Sequence, residues 1–144
     1  MNSEAPGPLR APQRSVHAGD YVLAAALAIA YVTLLVGTEP DLAMSRDESF
    51  YVTAAEDYGR WFEQLYHEPD VALERETIDR AWDYNSEHPP LAKTAFALSW
   101  LADQHWDLFE RDSLAHRFPA MCMGGLLLFL IYLFGARVFG RQAG

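Results

Sequence analysis

Two acidic side chains, Asp47 and Glu48, lie next to each other shortly after an apolar stretch of the chain ends. A carboxylate pair beside an apolar surface can act as a general base, because partial desolvation raises the pKa of a carboxyl group toward working pH. The sequence Ser45-Arg46-Asp47-Glu48 also fits the S-x-x-E capping box of a helix start, where Asp47 would complement the helix dipole. These four residues alone favour the helix cap over the catalytic pair.

A second group of chemically capable side chains lies in the segment Glu87-His88-Pro89-Pro90-Leu91-Ala92-Lys93. A cation held near a proline-stiffened turn at a membrane surface can bind a phosphate whose lipid tail stays in the bilayer. The start of the following helix adds free N–H donors. The same residues could form a plain junction between a loop and a helix, with Lys93 in solvent. The sequence leaves both interpretations open.

The chain offers little for a metal centre. His67-Glu68-Pro69-Asp70 has ligand-type atoms, but no second cluster accompanies it, so a solvated turn is the simpler interpretation. Cys122 is the single cysteine, which excludes an intrachain disulfide and a cysteine-based metal site. We assign no metal ligand and no certain cofactor. Dependence on a divalent cation stays open, because carboxylates alone do not show whether a cation bridges them.

The elements that must position these groups include two apolar stretches, which predict transmembrane helices over residues 20–37 and 118–139. The first stretch is at the short limit for a hydrocarbon core of about 30 Å at about 1.5 Å per residue. It could instead be a cleaved signal peptide, since Arg10 and Arg14 precede it and a tolerable cleavage position follows near Ser45. The presence of a second span favours a retained helix.

Residues 38–117 form the loop between the spans, and three helical segments are expected in it. The first begins at Arg46 and carries apolar, mostly aromatic side chains at helical spacing. These are Tyr51, Ala54, Ala55, Tyr58, Trp61, Phe62 and Leu65. Such a helix is expected to lie in the membrane interface with its rings toward lipid, or to be a surface helix of a soluble domain. Residues 70–84 predict a weaker helix, and residues 91–102 predict a re-entrant or interfacial helix that is too short to span.

Charge is divided unevenly between the loop and the rest of the chain. The net charge is −9, with 18 acidic and 7 basic residues in the loop and two acidic residues and four arginines outside it. Basic flanks are retained in the cytoplasm, so we expect the loop to be extracytoplasmic. Residues 1–19 are expected to form a disordered tail. This tail and the last residues of the chain, 140–144, would then be cytoplasmic. The acidic loop would repel phosphates, which argues against nucleic acid as a partner.

Taken in order, these motifs resemble the amino-terminal part of the polyprenyl-phosphate-sugar glycosyltransferases of the GT-C type. This superfamily includes the dolichyl-phosphate-mannose protein O-mannosyltransferases and the bacterial aminoarabinose transferases of lipid A. The similarity covers nearly everything after the tail. Its elements are a first span, Arg46-Asp47-Glu48 with Tyr51, Tyr58-Gly59-Arg60-Trp61, the Glu87 to Lys93 segment, Arg117-Phe118-Pro119-Ala120, and Tyr132 to Gly140.

The resemblance implies an all-α, multi-pass integral membrane fold with loop helices along the outer membrane surface. It implies inverting transfer of a sugar from a polyprenyl phosphate to a hydroxyl of an acceptor protein, lipid or glycan. By position, Asp47 would be the catalytic base and Glu48 would support it. His88 lies where the family has a basic residue near the lipid phosphate, and Lys93 would be a second phosphate contact.

The length of the chain departs from the family pattern. Family members are several times longer and have many more spans, whereas this chain has 144 residues. We therefore expect an amino-terminal fragment that is inactive alone. The composition, rich in Ala, Leu and Arg, is compatible with a bacterial inner membrane. The alternative is a non-enzymatic two-span membrane protein whose acidic loop docks a partner subunit, and the DNA downstream of these codons would discriminate the two.

Overall fold

The structure is a computed structural model that describes residues 15–140, and within this range every regular element is a helix. A 3₁₀ turn, Glu39–Asp41, follows the first helix. The six α-helices are α1 (Ala18–Thr38), α2 (Arg46–His67), α3 (Pro69–Ala72), α4 (Arg75–Trp82), α5 (Pro90–Trp106) and α6 (Asp112–Val138). The all-α fold class is thereby confirmed. Residues 1–14 of the expected tail and residues 141–144 of the expected cytoplasmic end lie outside the described range.

The two predicted spans are confirmed as helices, both longer than expected. Helix α1 begins at Ala18, inside the segment expected to be a disordered tail, and α6 begins six residues before the predicted span. Both are long and apolar enough to cross a membrane, with a mean hydropathy of 2.0 in each case. Only 6% and 22% of their apolar windows are buried within the structure, so most of this apolar surface is left uncovered by the chain itself.

Small residues hold α1 and α6 close together. Ala24 of α1 forms a buried cluster with Tyr132 and Ala136 of α6. A Cβ atom on Gly125 would lie only 2.7 Å from Cγ2 of Val32, so the backbone approaches this side chain as closely as glycine allows. Gly125 thereby permits the close helix packing that small residues allow between membrane helices.

The capping box predicted at the start of α2 is present. The Ser45 hydroxyl accepts a hydrogen bond from the Glu48 backbone N–H at 3.2 Å, and a Glu48 carboxylate oxygen accepts one from the Ser45 N–H at 3.2 Å. These bonds satisfy two donors that a helix start otherwise leaves without partners. The cap fixes the first turn of α2 and, with it, Asp47.

The aromatic face of α2 packs against other helices of the chain, and its expected position in a membrane interface stays a prediction. Tyr58 stacks on Trp82 of α4 with ring centroids 4.0 Å apart, and Trp61 and Phe62 meet the same indole edge-on. Ala97 of α5 completes the buried cluster around Tyr58. Helices α4 and α5 therefore cover this face. When the Trp82 ring packs on α2, the apolar surface of the ring and that of α2 are both removed from water.

The other two loop segments are helical with altered bounds. The weak helix expected over residues 70–84 is split into α3 and α4, with a turn at Leu73 and Glu74. Helix α5 starts at Pro90, a proline in the first helical position, where its missing N–H costs nothing. It extends to Trp106 and packs against both α2 and α6. Helix α5 thus joins the loop helices to the long apolar helix α6.

Candidate functional site

Asp47 and His88 line one cavity although 41 positions separate them in the chain. The cavity has a volume of about 520 Å³ and lies between the first turns of α2 and the segment before α5. The His88 ring lies 5.6 Å from the ring of Tyr51, centroid to centroid. The remaining lining residues are Phe50, Tyr84, Asn85 and Glu87. The structure therefore brings together a carboxylate and an imidazole that the sequence placed in separate motifs.

Asp47 is held by the backbone of α2 and by no side chain. It occupies the first turn, where the capping box on either side of it fixes the helix start. Within residues 15–140 no hydrogen bond or ion pair engages its carboxylate, and the side chain is exposed to the cavity. The carboxylate is free to accept a proton or a hydrogen bond from a molecule that enters the cavity.

His88 is held by two successive turns between α4 and α5. The Ser86 N–H donates to the Asp83 carbonyl at 3.1 Å, and the His88 N–H donates to the Asn85 carbonyl at 3.2 Å. Asn85 adopts the left-handed conformation with φ 56°, which asparagine tolerates better than most residues. Pro89 and Pro90 follow directly and restrict the backbone further. The imidazole therefore projects from a stiff segment.

Lys93 lies away from both the cavity and solvent. It is fully buried, and its ammonium donates to the Asn85 carbonyl at 2.5 Å and lies 5.5 Å from the centre of the Tyr58 ring. The alternative that placed Lys93 in solvent is wrong. Its suggested contact with a lipid phosphate stays a prediction, and in this structure the ammonium is engaged by the protein backbone.

Glu48 does not face the cavity as a second free base. Its carboxylate accepts hydrogen bonds from Nε and Nη2 of Arg117, the second at 2.9 Å. The same guanidinium binds Oε1 of Glu39 at 2.7 Å, and the Glu39 side chain is 2% exposed. The hydrogen bond from Arg117 is the main reason that the pKa of Glu48 lies below its ordinary value, against the opposing effect of burial. For Glu48, the expected rise in pKa was therefore wrong.

A second cavity has a volume of about 470 Å³, and Tyr51 lines it as well as the first. Asp47 borders it as well, together with Glu48, Arg117 and His116. The rest of its lining is mostly apolar and consists of Val52, Ala92, Phe96 and Ala120. Asp47 therefore borders both cavities, of which the second is the more apolar.

Comparisons with protein-family models, curated proteins and solved structures found no match for this chain. The interpretation of the site rests on its geometry and on the motifs of the sequence. Among residues 15–140, no three His, Cys, Asp or Glu side chains converge in a way that could hold a metal ion.

Sequence reasoning missed Glu39 and His116 as parts of the site, and it treated Arg117 only as a motif residue. Glu39 directly follows α1 and Arg117 directly precedes the predicted second span. Opposite charges at facing ends of two neighbouring apolar helices are a signal that could have paired them. His116 is 5% exposed, and its Nδ1 lies 2.8 Å from the Asp112 carbonyl. Its Nε2 is buried and has no hydrogen-bond partner in the part of the chain that the structure describes. No local pattern indicates this burial.

Proposed function

We propose that the chain is the amino-terminal part of an inverting membrane glycosyltransferase that takes a sugar from a polyprenyl phosphate. The observation that carries the proposal is the shared cavity of Asp47 and His88. A base and a phosphate-binding group are the two functions that this transfer requires on opposite sides of the sugar carbon. The resemblance of the sequence motifs supports the same assignment.

In the proposed reaction the acceptor hydroxyl attacks the anomeric carbon of the sugar. The bond from that carbon to the phosphate oxygen breaks, and its electron pair leaves with the lipid phosphate. Asp47 accepts the proton of the hydroxyl, and its negative charge also stabilises positive charge that develops at the sugar carbon. The His88 imidazole donates a hydrogen bond to the departing phosphate, whose charge grows during the step.

Glu48 supports this step indirectly. Its pairing with Arg117 favours the ionised carboxylate, so Glu48 does not compete with Asp47 for the acceptor proton. It also closes the capping box that holds Asp47 in place. The role suggested for Glu48, support of the base, agrees with this geometry.

We further propose that α1 and α6 cross a bacterial inner membrane with both chain termini in the cytoplasm. The uncovered apolar surface of both helices supports embedding, and the excess of arginine outside the acidic loop supports the orientation. The close packing of α1 on α6 favours a retained span over a cleaved signal peptide. The site would then lie at the extracytoplasmic surface, where a lipid-linked donor presents its phosphate.

The test of the base is the Asp47→Asn variant, in the longest open reading frame that contains these 144 residues, expressed in membranes. Removing a general base is expected to lower transfer from a polyprenyl-phosphate sugar by about 10²–10⁴-fold, with little change in donor affinity. Asp41→Asn is the matched control, since it removes a nearby exposed carboxylate that lines neither cavity. Near wild-type transfer by Asp47→Asn would overturn the assignment.

The test of the phosphate contact is His88→Gln in the same membranes. Gln keeps a hydrogen-bond donor but cannot place it where the imidazole N–H lies, so donor affinity is expected to fall more than the turnover at saturating donor. Binding of the isolated polyprenyl phosphate, without sugar or acceptor, reports this contact directly. An unchanged affinity for the polyprenyl phosphate would remove His88 from the donor site.

A second candidate is the non-enzymatic membrane protein whose loop docks a partner subunit. Trp106, the last residue of α5, and Leu108, two residues beyond it, are 71% and 55% exposed. Large apolar side chains in such positions favour contact with a protein or with lipid. This candidate predicts that Trp106→Ser disperses a complex on native gels of solubilised membranes while Asp47→Asn leaves it intact. Loss of transfer in Asp47→Asn would favour the enzyme instead.

A further inference from the structure

Lys93 is the single lysine among the eleven basic residues of the chain, and it is fully buried. Within residues 15–140 no carboxylate forms an ion pair with its ammonium. Removing a cation from water without a counter-charge costs several kcal/mol unless its donors are well engaged. The contacts that engage Lys93 therefore indicate what the side chain does.

The principal contact is one backbone oxygen. The carbonyl of Asn85 accepts the 2.5 Å hydrogen bond from the Lys93 ammonium and also the 3.2 Å hydrogen bond from the His88 N–H. A charge-assisted hydrogen bond is about twice as strong as a neutral one and polarises the carbonyl that accepts it. Lys93 thus binds the Asn85 carbonyl, and the same carbonyl closes the turn that carries His88.

The segment before this turn is fixed by the same part of the structure. Tyr58 of α2 lies under the Lys93 ammonium and stacks on Trp82, the last residue of α4. An ammonium within about 6 Å of a tyrosine ring is attracted to its face. The end of α4 and the Asn85 carbonyl therefore both contact one small group, in which Tyr58 and Lys93 are buried and Trp82 is partly buried.

We propose that Lys93 is a positioning residue that sets the place of His88 opposite Asp47, acting through the Asn85 carbonyl. The expected effect of Lys93 on donor affinity rests on the proposed function. The positioning of the His88 turn by Lys93 does not depend on that function. It differs from the phosphate contact suggested by the sequence, because the ammonium is buried, lines neither cavity and is engaged by the backbone.

The choice of lysine over arginine fits this role. The other ten basic residues are arginines, whose planar guanidinium presents five donors over a wide fork. A compact ammonium on a flexible stem can reach one carbonyl within a closely packed space and still lie against a ring. A guanidinium at the same position would need more room than a fully buried side chain bound to one carbonyl oxygen occupies.

The first experiment measures amide hydrogen exchange of the purified full chain in lipid nanodiscs, with wild type and Lys93→Met compared. The peptide of residues 84–91 is informative, since Pro89 and Pro90 have no amide and few other amides contribute. Loss of the ammonium bond is expected to speed exchange at His88 by about tenfold or more. Exchange over residues 54–59 of α2 reports whether the core is intact. Unchanged exchange at His88 would overturn the proposal.

The second experiment measures affinity for polyprenyl phosphate in Lys93→Met, His88→Gln and the double variant. A residue that acts through His88 weakens binding in the single variant but adds nothing once His88 is replaced. Additive losses would show an independent contact with phosphate and would overturn the positioning role. If His88→Gln binds normally while Lys93→Met still speeds exchange, the donor site is wrong and the positioning of the turn remains.

A measurement on the unaltered chain covers the case in which Lys93→Met does not fold. Labelling lysine with ¹⁵N gives one side-chain signal, because the chain has a single lysine. Its ammonium protons are expected to show a nuclear Overhauser contact with the His88 amide proton, since both groups donate to one oxygen. Absence of this contact under conditions where the ammonium signal is observed would overturn the proposal.

Discussion

Arg117 binds Glu48 through two of its nitrogens, Nε and Nη2, across 69 positions of the chain. The guanidinium simultaneously binds Glu39, which directly follows α1. One side chain of α6 thus joins the end of the first apolar helix to the start of α2. Since Asp47 precedes Glu48, this ion pair determines where the proposed base lies relative to the two long helices.

The first prediction concerns Arg117→Met, which removes the cation and keeps an unbranched side chain. Glu39 is then a buried carboxylate without its principal partner, and breaking a buried pair in this way costs about 3–5 kcal/mol. The free energy of unfolding, measured by denaturant titration in mild detergent, is expected to fall by this amount.

The matched control for this prediction is Arg75→Met. The Arg75 side chain is 93% exposed, and among residues 15–140 it pairs only with Asp79 of its own helix, at 3.5 Å. Such a surface pair contributes little, so the free energy of unfolding should change by less than about 0.5 kcal/mol. Equal effects of the two substitutions would show that the Arg117 contacts do not hold the helices together.

The second prediction is a pH dependence of stability that originates at Glu48. Its pKa is lowered from the ordinary value of 4.5, chiefly by the hydrogen bond from Arg117. The stabilisation is therefore fully present above pH 4.5 and is lost as the pH falls through the lowered pKa of the folded state. The comparison is Glu48→Gln, which can still close the capping box but does not titrate. The difference in unfolding free energy between wild type and Glu48→Gln should shrink with acidification below pH 4.5; a constant difference would contradict the prediction.

The third prediction compares two glycines with opposite surroundings. A Cβ on Gly125 would lie 2.7 Å from Val32 Cγ2 and 3.3 Å from the Ala28 carbonyl oxygen, whereas a Cβ on Gly37 meets nothing within 4 Å. Gly125→Ala is expected to separate α1 from α6 and cost about 1–3 kcal/mol. Gly37→Ala should be neutral or stabilise by up to about 1 kcal/mol, because alanine restricts the unfolded chain and favours helix. Denaturant titration of both variants distinguishes them, and a neutral Gly125→Ala would show that the helices do not pack at this residue.

The features that the sequence predicted well are those encoded by neighbouring residues. The apolar run of α1 and the Ser45 to Glu48 cap depend on local hydropathy and on bonds between residues three positions apart. Helical spacing likewise identified which residues share the apolar face of α2. It could not show what covers that face, because Trp82 reaches it only through the chain reversal between α2 and α4.

The site was predictable only in part for the same reason. The motifs selected Asp47 and His88 as candidates, and the structure places both in one cavity. The charge of Lys93 suggested solvent or a ligand, since the sequence does not reveal that the Asn85 carbonyl returns to meet it. For Arg117, the charge at the end of α1 could have indicated Glu39 as a partner, whereas no local pattern indicates Glu48, because that pairing depends on how separate segments converge.

The fourth prediction tests the membrane and its orientation with two single-cysteine variants in a Cys122→Ser background. Leu130→Cys lies within the apolar part of α6 and Tyr66→Cys lies near the end of α2, where the native side chains are 52% and 84% exposed. If lipid covers α6, a membrane-impermeant maleimide added to intact cells with a permeable outer layer should label Tyr66→Cys and spare Leu130→Cys. Comparable labelling rates at both positions would contradict membrane embedding. Labelling of Tyr66→Cys only after the cells are broken would instead place the acidic loop in the cytoplasm, and a lipid-linked donor presented at the outer surface could then not reach Asp47.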